Sequence, residues 1–221
     1  MTNMPESNLI KYYCRWAPDY ERIYYRDNPE RRQEIDDEVV RLKKLAAGKT
    51  VLDIPCGTGY WLEFMSQTAH EITAADISAE MLREARLKKA ACPVMFVQAG
   101  LESIPFEDHS FDLIALGFWL SHQPKQSYEK LFDELNRVLR PGGTIWIIDN
   151  NPPAEGNMRR LAGHDAAGNQ LIKRKVPDGE EFQIIKNYFS EEDLRRVLEP
   201  FYRIERLTHK PYYWSVELRV R

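Results

Sequence analysis

From Asn28 to Ala47 the apolar residues Ile35, Val39 and Leu42 recur at helical spacing on a charge-rich background, and Gly48 stands where such a helix would stop. The spacing predicts an amphipathic helix whose charges form a solvated face. Ahead of it, the chain through Tyr25 repeats aromatic residues at the same period, with Trp16, Tyr20 and Tyr24 on one side, so a further helix with a buried face is expected. Beyond Gly48 the pattern changes to short apolar runs. Those beginning at Val51, Glu71, Val94, Leu113 and Thr144 read as strands, the fourth apolar enough to be buried on both faces. Helical stretches separate them, at about 59–67, after Ser78 (which would cap Met81, Leu82 and Ala85) and at 127–139, where Pro141-Gly142-Gly143 ends the run. Strands alternating with helices predict an α/β fold with a mostly parallel sheet.

Past Asp149 the regularity lapses. Pro152, Pro153, Gly156, Gly163 and Gly168 mark 150–169 as an irregular insertion, a length of loop that is often a lid or binding loop. Pro177-Asp178-Gly179 joins two strand-like runs, 170–176 and 181–186, as a hairpin, with Lys173, Arg174 and Lys175 guarding an exposed edge. Ser190-Glu191-Glu192-Asp193 has the form of a capping box opening a helix that Pro200 ends, and two strands, about 201–208 and 212–220, close the chain.

Composition narrows the function classes. The 221 residues are 43% hydrophobic and include five tryptophans, which is globular composition. Lys and Arg number 31 against 34 Asp and Glu, a net charge of −3, so no global basic field advertises nucleic acid or an anionic membrane. No charged leader with an apolar run and no span of membrane length is present, which points to a cytoplasmic protein. The three cysteines and five histidines have no metal-ligand spacing, and no metal is expected.

The candidate chemistry is concentrated in Asp53-Ile54-Pro55-Cys56-Gly57-Thr58-Gly59, between the first strand and the next helix. Two glycines remove side chains where a ligand must approach the backbone, and Asp53 suits an ammonium or a ribose hydroxyl where it would repel a pyrophosphate. The dinucleotide fingerprint fits poorly, because Leu62 stands where its third glycine would be. Asp76, ending the second strand roughly 20 residues on, can accept from both ribose hydroxyls.

These residues resemble the first motif of the class I S-adenosylmethionine (SAM) dependent methyltransferases, with Pro55 where that family usually has glycine. Arg140-Pro141-Gly142-Gly143 before an apolar strand is a second point of similarity. The resemblance implies a Rossmann-like, seven-stranded, mostly parallel sheet with an antiparallel C-terminal edge strand, helices on both faces, and the hairpin as an insertion. It implies one domain over 1–221: an N-terminal helical cap (1–47), a cofactor-binding core (49–149), the insertion and hairpin (150–189), and a C-terminal helix and strands (190–221).

The cofactor implied is SAM, with S-adenosylhomocysteine as product. Asp53, Pro55, Gly57 and Gly59 would meet its methionine end, Asp76 and Ile77 its ribose, and Gly100 and Leu101 its adenine. The backbone N–H of Leu101 would serve there, because Gly100 occupies the place of the usual acid. Gly117 and Phe118 would wall the sulfonium. His122, beyond the fourth strand, is the candidate general base. Tyr20, Trp119, Asp149 and Arg159, with His122, are candidates to meet the acceptor, and Arg160 would join Arg159 if the acceptor is anionic. The expected reaction is in-line transfer of a methyl group to an O or N atom of a small molecule by a monomer or homodimer without a nucleic-acid or membrane partner. A non-catalytic SAM-binding regulator and an NAD-dependent oxidoreductase are the alternatives.

Overall fold

The computed structural model describes residues 5–16, 28–152, 161–176 and 179–221. Tyr20, Tyr24, Arg159 and Arg160 lie outside them. Helix α1 spans Pro5–Trp16 and α2 spans Pro29–Ala46. The start of α2 is fixed locally: the Asn28 side chain accepts from the Arg31 backbone N–H at 3.0 Å, and Pro29 stands in the first turn, where a missing N–H costs nothing.

Strands β1 (Thr50–Asp53), β2 (Glu71–Asp76), β3 (Val94–Gln98), β4 (Phe111–Gly117) and β5 (Leu139–Asn150) are mutually parallel. Helices α3 (Tyr60–Met65), α4 (Ala79–Ala85) and α5 (Tyr128–Val138) connect them. The chain ends with α6 (Glu191–Leu198), β9 (Tyr202–His209) and β10 (Tyr213–Val220). The sheet has seven strands in the order β3-β2-β1-β4-β5-β10-β9. The antiparallel C-terminal strand expected at this end is β10, seated between β5 and β9 and antiparallel to both. Pairing of β5 with β4 begins at Leu139, skips Arg140–Gly143 and resumes at Thr144, so the Pro-Gly-Gly turn bulges out of the strand.

Strand side chains alternate between two cores. Leu52, Ile114, Ile145 and Ile147 face a cluster with α5 and α6, while Val51, Leu113, Trp146 and Ile148 face one with α2 and α3. Helices thus cover both faces, and the carboxyl ends of β1, β2, β4 and β5 bring Asp53, Asp76, Gly117 and Asp149 to one end of the sheet.

Two expectations change. The segment 150–169 is not wholly irregular: β6 (Leu161–His164) pairs with β7 (Gln170–Lys175), which pairs with β8 (Glu181–Ile185) in a separate antiparallel sheet. A four-residue strand holding Gly163 at φ +116° carries no periodicity from which to read it. In that sheet β7 is central, but β6 pairs with it only as far as Ile172; Lys173, Arg174 and Lys175 pair with β8. And α2 is not a purely solvated charged face. Glu34 is buried and accepts from the backbone N–H groups of Tyr212 and Tyr213, and Glu38 is buried against the Trp146 indole and Arg206. Among the described residues no helix is long and apolar enough to cross a membrane.

Candidate active site

The turn after β1 is tied to both neighbouring strands: Ile54 N–H donates to Ala115 O of β4 at 3.0 Å, and Cys56 N–H to Ala75 O of β2 at 2.8 Å. The Ile54–Pro55 peptide is cis. Gly57 (φ +54°) and Gly59 (φ +81°) adopt left-handed conformations that side-chain-bearing residues rarely take. A Cβ on Gly57 would meet nothing within 4 Å, whereas one on Gly59 would come within 3.1 Å of Ala85 Cα and Lys88 Cγ. Gly57 therefore faces open space, and Gly59 lets α3 and α4 approach.

That space is a cleft partly open to solvent. Its floor is the turn from Pro55 to Thr58, and one side is Asp76, Ile77, Ser78 and Met81. Trp61, Phe118 and Trp119 give the cleft an aromatic lining, joined by Ile10 and Tyr13 of α1. Phe118, at φ +60°, is held by its N–H bond to Ile148 O (2.8 Å) and by the rings of Trp61 and Tyr213 at 5.9 and 5.7 Å.

Gly117 has a packing reason to be glycine: a Cβ there would lie 2.3 Å from Trp61 Nε1. Gly117→Ala should therefore lower stability by about 1–3 kcal/mol, read as a fall in melting temperature of several degrees, because the Trp61 ring is itself packed on Trp146.

Two carboxyl groups meet at this end of the sheet. Asp76 is only 5% exposed and accepts from Gly57 N–H (2.9 Å) and Ser78 N–H (2.8 Å) through different oxygens. Burial raises its pKa to about 6. Asp53 lies beneath the turn, fully buried, and neither oxygen has a hydrogen-bond partner. Burial first, then the neighbouring Asp76 charge, pushes its pKa well above the usual carboxylate range. A buried carboxyl without a donor is costly alone and is suited to a cation.

The structure brings Pro55, Gly57, Asp76, Ile77, Gly117, Phe118 and Trp119 into the cleft wall. Asp53 and Gly59 support it from behind. Gly100 and Leu101 are not in the wall; Gly100 lies against Ile77, and the Leu101 side chain belongs to the core. Asp149 is fully buried, away from the cleft wall, in an ion pair with Lys186 (2.8 Å).

His122, read from the sequence as a general base, sits behind Tyr13. Its Nδ1 lies 2.6 Å from Ile185 O, a carbonyl that can only accept, so Nδ1 carries the proton. Nε2 then accepts from the Tyr13 hydroxyl at 2.8 Å. Burial, with the Lys186 charge next, pushes the imidazole pKa down to about 3. The ring is neutral, and its one lone pair is already engaged, so Tyr13 and not His122 faces the cleft. Sequence reading gave Tyr13 no individual role and missed Lys186. The aromatic period had marked the helix in general, and nothing around Lys186 distinguishes it from a surface lysine.

A Rossmann-like sheet with a glycine corner, two acidic strand ends and an aromatic-walled cleft defines a nucleoside-type cofactor site. Residues 51–143 match the family model described as "Methyltransferase domain". The chain is 30% identical over 159 residues to the demethylmenaquinone methyltransferase of Listeria monocytogenes serotype 4a (strain HCC23), a match covering 69% of this chain and 66%, just under two thirds, of that protein. Among solved structures, a DhpI–SAH complex superposes with TM-score 0.78 at 23% identity, covering 97% of this chain and 96% of the other. A DhpI–SAM–HEP complex gives 0.77 at 23% identity, covering 99% of each. Over residues 51–143 the chain is similar to the methyltransferase domain family, and its fold is that of the SAH- and SAM-bound neighbours.

The cofactor of that family is SAM, and the residues present fit it. The partnerless Asp53 carboxyl suits an ammonium, Asp76 keeps lone pairs for ribose hydroxyls, and Gly57 leaves open the space that a side chain would fill.

Proposed function

We propose that this chain transfers the methyl group of SAM to an O or N atom of a small molecule. The observation that carries this reading is the convergence of the partnerless Asp53, the open face of Gly57 and the two-point-held Asp76 at a cleft with an aromatic lining. SAM, when bound, supplies an electrophilic methyl group on a sulfonium. The protein's part is then chiefly positioning, which can contribute about 7–11 kcal/mol of barrier reduction.

In this reading Asp53, Pro55, Gly57 and Gly59 form the methionine end of the site, Asp76 and Ile77 hold the ribose, and Gly100 and Leu101 lie toward the adenine. Gly117 and Phe118 border the reacting centre, and Trp119 and Tyr13 meet the acceptor. Tyr20 and Arg159 remain proposed acceptor contacts on the sequence reading alone. His122 acts through Tyr13, whose hydroxyl donates to Nε2 and is held by that bond at the acceptor side of the cleft. Residues 1–221 work as one domain, with α1 and the small sheet around the acceptor side. The name of the Listeria relative supports a small-molecule acceptor.

Incubation with methyl-tritiated SAM and a panel of hydroxyl- and amino-bearing aromatic compounds, demethylmenaquinone included, should yield labelled product. Tight S-adenosylhomocysteine binding without transfer to any of them would favour the non-catalytic alternative.

The site also gives cofactor binding a pH dependence. Ribose hydroxyls donate to Asp76 as a carboxylate, and with its pKa raised to about 6 the carboxylate is lost as pH falls through that value. The raised Asp53 pKa acts in the same direction. Affinity for S-adenosylhomocysteine should therefore rise from pH 5 to pH 7, approaching about tenfold per unit on the acid side. Calorimetric titration across that range checks it; a flat profile would contradict it.

A further inference from the structure

Four buried polar atoms without a hydrogen-bond partner lie at or under the cleft: the two Asp53 oxygens, Trp61 Nε1 and Trp119 Nε1. Asp53 offers only acceptors once ionised, and the two indoles offer only donors. Trp119 stands past the end of β4, on the acceptor side. Trp61 stands on α3, directly after the glycine corner under which Asp53 lies. Its side chain is 4% exposed and lines the cleft, and its ring is fixed between Tyr60, Trp146 and Phe118 with centroids 4.9, 4.9 and 5.9 Å away. A Cβ built on Gly117 would lie 2.3 Å from this nitrogen, so Nε1 borders the space that glycine leaves open. A buried N–H held rigidly without an acceptor is an expensive arrangement that a ligand acceptor atom would relieve.

The amino-acid end of the cofactor carries two opposite charges on one carbon, an ammonium and a carboxylate. A corner that offers Asp53 to the first needs a donor for the second. Two donors nearby are already engaged: the Tyr13 hydroxyl bonds His122, and Gly57 N–H bonds Asp76. We propose that the Trp61 indole N–H binds the α-carboxylate of the cofactor, so that Asp53 and Trp61 together recognise its zwitterionic end. This rests on the cofactor reading above and adds to it the residue that reads the negative charge. Charge-assisted hydrogen bonds are the strong ones, so the effect should be large for a single group.

The test compares two ligands by calorimetric titration: S-adenosylhomocysteine, and S-adenosyl-3-thiopropylamine, which is the same molecule without its carboxyl group. Trp61→Phe keeps an aromatic ring in the packing and removes the N–H. It should weaken S-adenosylhomocysteine roughly tenfold or more and leave the thiopropylamine within about twofold. Equal weakening of both ligands, or none of either, would overturn the proposal while leaving the cofactor reading intact. If the wild type bound neither, the cofactor reading itself would fail. Should Trp61→Phe not fold, the wild-type indole proton resonance of Trp61 decides: it should move downfield with S-adenosylhomocysteine and not with the thiopropylamine, and an unmoved resonance would overturn the proposal.

Discussion

Lys186→Met is expected to destabilise the fold by about 3–5 kcal/mol, a fall in melting temperature on the order of 10 °C for a chain of this size. Lys186 Nζ lies 2.8 Å from Asp149 Oδ1 and 2.6 Å from Ser121 Oγ, with both charged side chains buried. Asp149 also accepts from the backbone N–H groups of Ser121 (2.9 Å) and Asn150 (2.7 Å). The pair joins the end of β5, the 3-10 turn Leu120–His122 and the residue that follows β8, so it fastens the small sheet to the main one. Burial lowers the Lys186 pKa and opposes ionisation of Asp149, while the Lys186 charge holds Asp149 below the usual carboxylate range. Methionine keeps most of the volume and strands the carboxylate. The deficit should be greatest at neutral and alkaline pH and should narrow on acidification, as Asp149 takes up a proton that relieves the unpaired charge. A melting series from pH 5 to pH 8 reads both; an unchanged midpoint would show that the pair is not structural.

Asp53→Asn should have the largest effect on the cofactor, weakening S-adenosylhomocysteine on the order of 100-fold by removing a buried counter-charge to its ammonium. The unliganded protein should respond in the opposite sense. The folded-state pKa of Asp53 is raised above its unfolded value, so above that unfolded value the group opposes folding, and more so as pH rises. A neutral isostere removes that opposition, and the free variant should melt at or above the wild-type temperature at pH 8. Weaker binding with retained or improved stability separates a binding role from a scaffold role. Loss of stability together with binding would assign Asp53 to the scaffold.

What the sequence disclosed and what it hid follow from the range of the interactions involved. Short-range signals were legible: the Ser78 cap, the Ser190–Asp193 capping box, and the apolar run of the fourth strand, whose Leu113 and Ile114 enter opposite cores. The glycine corner was legible because a left-handed turn restricts residue choice within a few positions. Lys186 was not, because its partner is 37 residues earlier and a buried ion pair leaves no periodic trace. The role of His122 could not be read either, since it depends on Tyr13, 109 residues away, and on the Ile185 carbonyl, a backbone atom that no side-chain pattern reports. Strand β6 escaped because four residues with a glycine in a register shift lack the alternation that identifies a strand.

The cleft beside Asp76 is proposed here as the site of SAM. Calorimetric titration of the full chain with S-adenosylhomocysteine, beside Asp76→Ala, tests it most directly. Micromolar binding by the wild type that is lost in the variant is the expected result. No binding by the wild type, or equal binding by both proteins, would contradict it.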